Sequence, residues 1–395
     1  MHPSEEIYCA KSNRLSGKTI VLGITGSIAA VDSFHLIREL IRHGAKVIPV
    51  MTEEATKLAA PDAIEFAAGV KPIVTIGGQC EHILHLGDPA GADLFLVYPC
   101  TADSISKMAC GIADTSVTTM ASVALGSDIP VAIAPAMHGM MFANPAVSGN
   151  LQKLVSWGVH VIGPHEDNGR ARVASVQEVV AWSIRLLSHD DLIGKRILII
   201  GGRSEEALDS MRLVTNRSTG LMAVTLARTA FERGADVELW MGACSVPLPD
   251  FIPVRRYESV ADLVSMVGDV DHDVVIVPAA LADFTPAVKA EGKIPSDKGF
   301  EMQMVPVPKV LPLLREKCGK VIGFKAESGL TETQLVARAR SRLESYDLTA
   351  VVANDVDAAG KTSASMLLVT ASSVRDVSGP KTVSSNSILD FVAEL

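Results

Sequence analysis

Aromatic residues are scarce in this chain: 4% of 395 positions, although 48% are hydrophobic. The apolar content is therefore Val, Ile, Leu and Ala, which suits buried parallel strands under Ala-rich helices. Cysteines are few and scattered. Cys9, Cys80, Cys100, Cys110, Cys244 and Cys318 form no Cys-x-x-Cys pair, which argues against a zinc ribbon or disulfide framework and for a reducing compartment. No apolar run has the ~20 residues of a membrane span, and Met1 to Arg14 holds no signal-peptide core. A cytoplasmic protein with no membrane contact is expected. Basic excess is absent too: 36 Lys and Arg against 45 Asp and Glu give a formal charge of -9. Nucleic acid is thus not an expected partner. Finally, no Gly-x-Gly-x-x-Gly follows the first strand, and no acid closes the second, which ends Val50-Met51-Thr52. That disfavours a dinucleotide site.

What the chain does have is one pattern twice. Thr19-Ile20-Val21-Leu22-Gly23 and Arg196-Ile197-Leu198-Ile199-Ile200-Gly201 both follow a Gly-Lys turn and read as short buried strands. Each leads through a loop to a helix stopped by glycine, Gly44 or Gly234. Each then reaches a second strand, Lys46 to Val50 or Asp236 to Trp240. Repeated β-loop-α-β units predict two α/β domains, 1–189 and 190–395. The expected fold is a flavodoxin-like or Rossmann-like domain followed by a second Rossmann-like parallel sheet, with ligands beyond the carboxyl ends of the strands.

In the first half those ends carry Gly26-Ser27-Ile28-Ala29-Ala30, Thr52, Pro99 to Asp103, Gly111 to Asp114, and Pro135-Ala136-Met137-His138. A small-residue turn opening a helix suits a phosphate; read locally, it serves equally as a plain tight turn. Taken together these segments, with Glu81-His82-Ile83-Leu84, resemble the homo-oligomeric flavin-containing cysteine decarboxylases, which include phosphopantothenoylcysteine decarboxylase. The resemblance implies FMN held by Gly26, Ser27, Ile28, Thr52, Thr101, Ala102, Asp103 and Met137. It implies His82 as a base near the substrate thiol and His138 at the carboxylate. Oxidation at the thiol-bearing carbon would give a thioaldehyde able to delocalise the charge left by loss of carbon dioxide. Two departures stand out. His138 replaces the family's usual Asn, and the flap-like stretch Gly163 to Val173 has no Cys. His85, His138 and Cys100 are then the candidate proton donors, and the alternative is a catalytically silent flavin scaffold.

The second half offers Thr215-Asn216-Arg217-Ser218-Thr219-Gly220, Ala279-Ala280-Leu281-Ala282-Asp283 with Lys293 beyond, Pro308-Lys309-Val310-Leu311, Gly323 to Glu327, and Ala353-Asn354-Asp355. Arg338 and Arg342 lie four apart on a predicted helix and share a face. From about Gly194 onward the chain resembles phosphopantothenate–cysteine ligase. The resemblance implies that Ala279, Asp283, Lys293, Pro308, Lys309, Val310, Leu311, Phe324, Arg338 and Arg342 bind CTP. It casts Asn216 and Lys293 as catalytic, with Mg²⁺ assisting through ligands the sequence does not identify. A carboxylate becomes acylating once it attacks the α-phosphorus of CTP and releases pyrophosphate; the cysteine amine then displaces CMP. Leu221 and Ala223 depart from the family's Lys and Gly. The two resemblances imply a homo-oligomer of trimeric flavin halves and dimeric ligase halves, up to a dodecamer. Its substrates would be phosphopantothenate, cysteine and CTP, in coenzyme A synthesis.

Overall fold

Five short strands of the first half, β1 (Thr19–Ile24), β2 (Lys46–Met51), β3 (Leu94–Cys100), β4 (Val131–Pro135) and β5 (His160–Val161), pair in the order β2-β1-β3-β4-β5, all parallel. The computed structural model describes residues 2–89, 91–167, 170–188, 191–295, 299–355, 363–364 and 366–395. They divide into two units, Met1–His189 and Asp190–Leu395. Asn168 and Gly169 of the flap-like stretch, and Val356 beyond the Ala353-Asn354-Asp355 cluster, lie outside the described residues.

The first sheet is buried on both faces because its strands are apolar at consecutive positions. Ile20, Leu22 and Ile24 of β1 and Leu94, Leu96 and Tyr98 of β3 pack to one side. There they meet Leu36, Ile37 and Leu40 of α1 (Ser33–Arg42), Ile64 of a second helix (Pro61–Ala68), and Val179 and Ile184 of a third (Val176–Leu187). Val21, Phe95 and Val97 face the other side, against Ile105 and Met108 of α2 (Ala102–Cys110) and Val117 and Met120 of α3 (Ser116–Ala124). Each fully buried Leu or Ile stabilises the fold by about 1.5–3 kcal/mol relative to exposure.

The second unit is built on an eight-stranded sheet. It contains β6 (Arg196–Gly201), β7 (Asp236–Met241), β8 (Val254–Arg256), β9 (Val274–Val277), β10 (Val321–Glu327) and β11 (Ala350–Asp355). It also contains β12 (Met366–Val369) and β13 (Val374–Asp376), in the order β8-β7-β6-β9-β10-β11-β12-β13. The first six are parallel in Rossmann order; β12 and β13 add an antiparallel edge. One face carries α4 (Leu221–Glu232), which packs on β6 and along α7 (Lys381–Glu394). The other carries α5 (Val310–Lys317) and α6 (Glu332–Ser345), whose Leu314, Ala339 and Leu343 join Leu198, Val275 and Val351 in a core cluster. Among the described residues, no helix is long and apolar enough to cross a membrane.

Candidate functional site

Four strands of the first sheet each end by handing the chain to a helical turn. Ser27, Thr52, Thr101 and His138 are the N-caps after β1, β2, β3 and β4. Their side chains accept backbone N–H groups: Ala55 to Thr52 Oγ1 at 3.2 Å, Ser104 to Thr101 Oγ1 at 3.2 Å, Met140 to His138 Nδ1 at 3.3 Å. Because the strands are parallel, all four turns lie on one edge. Gly26, Ser27, Ile28, Thr52, Thr101, Ala102, Asp103, Met137 and His138 are thereby gathered along that edge.

Hydrogen bonds lace the strand ends together. Buried Thr25 donates its hydroxyl to Pro99 O at 2.8 Å and accepts the Thr101 N–H at 3.0 Å. The Ala136 N–H reaches Cys100 O at 2.8 Å. Lys107 joins Asp103 and Asp114, each at 3.0 Å, which fixes the Gly111 to Asp114 turn against α2.

His82 stands on a short helix (Glu81–Leu86) packed on α3, whose Ser116 hydroxyl donates to Met51 O at 2.7 Å beside Thr52. Its Nδ1 is buried and has no hydrogen-bond partner among the described residues. An orphaned buried nitrogen is costly, and a ligand group would relieve it. His138 Nδ1 accepts the Met140 N–H of its own cap, which leaves Nε2 as the ring's donor.

Of the other proton-donor candidates, burial pushes the His85 pKa down, helped by the charge of Lys46 and opposed by Glu81. Cys100 is sealed from solvent, and burial drives its thiol pKa far above the usual range. In the flap-like stretch, His165 Nε2 lies 2.5 Å from Glu178.

In the second unit a cavity of about 450 Å³ opens at the carboxyl edge of the sheet, within the usual range for small-molecule sites. It lies where β6 and β9 are neighbours and the strand order reverses. The loop after β6 ties its walls together. Arg203 donates to Ser218 O at 2.8 Å, Gly202 O accepts the Ala280 N–H at 2.8 Å, and Ser204 Oγ accepts the Ala282 N–H at 2.9 Å. Asn216 donates its amide to Ala280 O at 3.0 Å. The 215–220 segment does not end in a side-chain cap. Gly220 itself is the N-cap of α4, with φ +79°, and a Cβ there would strike Met241 and Cys244.

Asn216, Ala279, Asp283, Pro308, Lys309, Val310, Leu311, Phe324 and Arg342 all line this cavity. Asp283 bonds Lys309 at 2.6 Å. That bond, with the charges of Lys325 and Arg342, holds its carboxyl below the usual range. Lys325 pairs with Glu327 at 2.9 Å, and the Glu327 carboxyl is likewise lowered by Lys325, Arg338 and Arg342.

Two expected nucleotide ligands are not on the lining. Arg338 is exposed one turn from Arg342, and Lys293 sits on an exposed loop. Three bonds to the 208–212 turn anchor that loop: Ala290 N–H to Leu208 O, Ser210 N–H to Gly292 O and Ile294 N–H to Asp209. The lining also includes Lys325, quoted above only as part of a motif, and Lys381, which no sequence motif flagged. The one signal for Lys381 is a cation at the first position of a helix, where the helix dipole disfavours it.

A family model described as Flavoprotein matches residues 9–188, and one described as DNA/pantothenate metabolism flavoprotein C-terminal domain matches residues 192–395. The chain is 42% identical to the coenzyme A biosynthesis bifunctional protein CoaBC of Thermococcus kodakarensis over 93% of both chains. It is 35% identical to the protein of that name from Methanocaldococcus jannaschii, over 100% of this chain and 98% of that one. Among solved structures, the C-terminal domain of a coenzyme A biosynthesis bifunctional protein CoaBC is 27% identical, covering 52% of this chain and 97% of that one with a TM-score of 0.43. The chain belongs to the family of coenzyme A biosynthesis bifunctional proteins CoaBC.

Proposed function

We infer that this chain performs two successive steps of coenzyme A synthesis. Residues 190–395 join phosphopantothenate to cysteine with CTP, and residues 1–189 decarboxylate the product with FMN. The observation that carries the ligase reading is electrostatic. Arg217, Lys309, Lys325, Arg342 and Lys381 line one cavity where Asp283 is the one carboxylate among the described residues, in a chain whose formal charge is -9. Such a cluster of cations fits a phosphorylated acid and a nucleoside triphosphate.

In this reading the acid's carboxylate oxygen bonds to the α-phosphorus of CTP and pyrophosphate leaves. Lys309, Lys325 and Arg342 neutralise the charge that develops, and Asp283 orients Lys309 or meets the nucleoside. The cysteine amine then attacks the acyl carbon and CMP departs, with Asn216 orienting the acyl group. Lys293 joins from its loop. Among the described residues Asp283 is the one carboxylate on the lining, so Mg²⁺ would enter chiefly with the triphosphate and would help neutralise its charge.

In the first half the capped turns after β1 to β4 suit the phosphate and ring of FMN, which supplies hydride chemistry when bound. His82 takes the thiol proton, and His138 donates Nε2–H to the substrate carboxylate. Family membership across both halves disfavours a silent scaffold. The assembly proposed is a cytoplasmic homo-oligomer of flavin trimers and ligase dimers. Exposed Ile28 and Met140 in the first unit, and Met211, Leu213 and Phe284 in the second, support it.

The deciding experiment supplies phosphopantothenate, cysteine and Mg²⁺ with each nucleoside triphosphate in turn. Pyrophosphate release should be fastest with CTP, and carbon dioxide should follow from a yellow protein. Equal rates with all nucleotides would remove the CTP assignment. Full turnover by a folded Lys293→Gln variant would remove the role of Lys293.

A further inference from the structure

The cations of the ligase cavity fall on the two faces of the sheet. Lys309 is the N-cap of α5, Arg342 lies on α6, and Lys325 lies on β10, with Asp283 and Glu327 among them. On the α5/α6 side Lys309–Asp283 and Lys325–Glu327 are ion pairs, and Arg342 adds its charge to the field at both carboxylates. Lys381 belongs to the other side. It is the first residue of α7, which packs along α4, and the first turn of α4, Leu221 to Ala223, lines the same cavity.

Lys381 bears three costs. It has no carboxylate partner among the described residues. It occupies a helix start, where a positive charge is disfavoured. It is half-buried, and burial draws its ammonium pKa down. Three costs at one position, on a side chain that lines a cavity, are offset when an anion arrives. The neighbouring α4 turn has backbone N–H groups without intrahelical acceptors, so the anion would meet donors from both helices.

We propose that Lys381 binds the phosphate monoester of the acid substrate, on the α4/α7 side of the cavity, opposite the groups that hold the nucleotide. This rests on the ligase reading above. A phosphate monoester is nearly dianionic at neutral pH, and it lies at the end of the substrate remote from the carboxylate that reacts. Lys381 is thus a binding residue that discriminates phosphorylated from unphosphorylated acid and takes no part in the bond changes.

The test uses the full chain with Lys381→Gln and Lys381→Arg. In the Gln variant, KM for phosphopantothenate should rise on the order of tenfold or more, with KM for CTP and kcat changed less than about twofold. The preference for phosphopantothenate over pantothenate should shrink by the same factor, and Arg should restore most of it. A rise confined to KM for CTP would reassign Lys381 to the nucleotide and overturn the proposal. Unchanged constants in a variant with native circular dichroism would overturn it as well.

A second readout needs no turnover. An amine-acylating reagent should label Lys381, and phosphopantothenate, but not pantothenate, should protect it. Absence of protection in a wild-type chain that turns over sinks the Lys381 role alone. A wild-type chain that releases no pyrophosphate sinks the ligase reading instead.

Discussion

Asp209 Oδ2 accepts the backbone N–H of Ile294 at 3.0 Å, so one carboxylate fixes the residue directly after Lys293. The same carboxyl receives the N–H groups of Met211 and Arg212, both at 2.7 Å. These bonds, that of Ile294 first, hold its pKa down to about 2. Asp209→Ala should free the Lys293 loop. It should lower the ligation rate roughly tenfold and raise hydrogen exchange at Ile294, with carbon dioxide release from supplied phosphopantothenoylcysteine unchanged. The sign with pH follows from the lowered value. The anchoring is complete above the ordinary carboxyl pKa of about 3.9 and fades as pH falls towards 2. Hydrogen exchange measured between pH 5 and 2.5 checks it; constant protection of Ile294 over that range would contradict the anchor.

His82→Gln tests the first half on its own. The variant should stay yellow and ligate normally while carbon dioxide release falls by about 100-fold or more. A variant that decarboxylates at the wild-type rate would show that the buried Nδ1 serves packing alone.

Gly201 ends β6 directly beneath α4, where an added Cβ would overlap that of Ala223. Gly201→Ala should therefore destabilise the second unit by about 1–3 kcal/mol, read as an earlier urea transition of the full chain. An unshifted transition would mean that α4 retreats without loss.

Alkylation separates the thiols. Cys80 and Cys110 are exposed, whereas Cys100 is buried with its thiol pKa pushed up. Iodoacetamide at pH 8 should label the first two and leave Cys100 unmodified by mass spectrometry. Rapid labelling of Cys100 would reopen its candidacy as the proton donor.

The sheets were legible because the physics is local. The runs Ile20 to Leu22 and Ile197 to Ile200 have no polar residue, and glycine stops the helix that follows each. The cavity motifs at 215–220 and 279–283 were legible as strand-end loops. The antiparallel edge was not, since Val374 to Asp376 is wholly exposed and carries no alternation. Lys381 was invisible for a different reason. It joins the cavity only because α7 folds back along α4, about 160 positions earlier, and no local pattern encodes that return. Lys293 shows the reverse: its motif spacing suggests the site, while the structure places it on an exposed loop off the cavity lining.

Thr25 welds the ends of β1 and β3 through one hydroxyl that both gives and receives a hydrogen bond. That pair of bonds joins the turn after β1 to the turn after β3, and FMN bound there, as proposed above, would meet two segments already tied together. A guest seated there need not first organise its host, so little of its binding free energy is lost to ordering. Removing that one oxygen, as in Thr25→Val, would loosen the grip without touching a single atom of the guest.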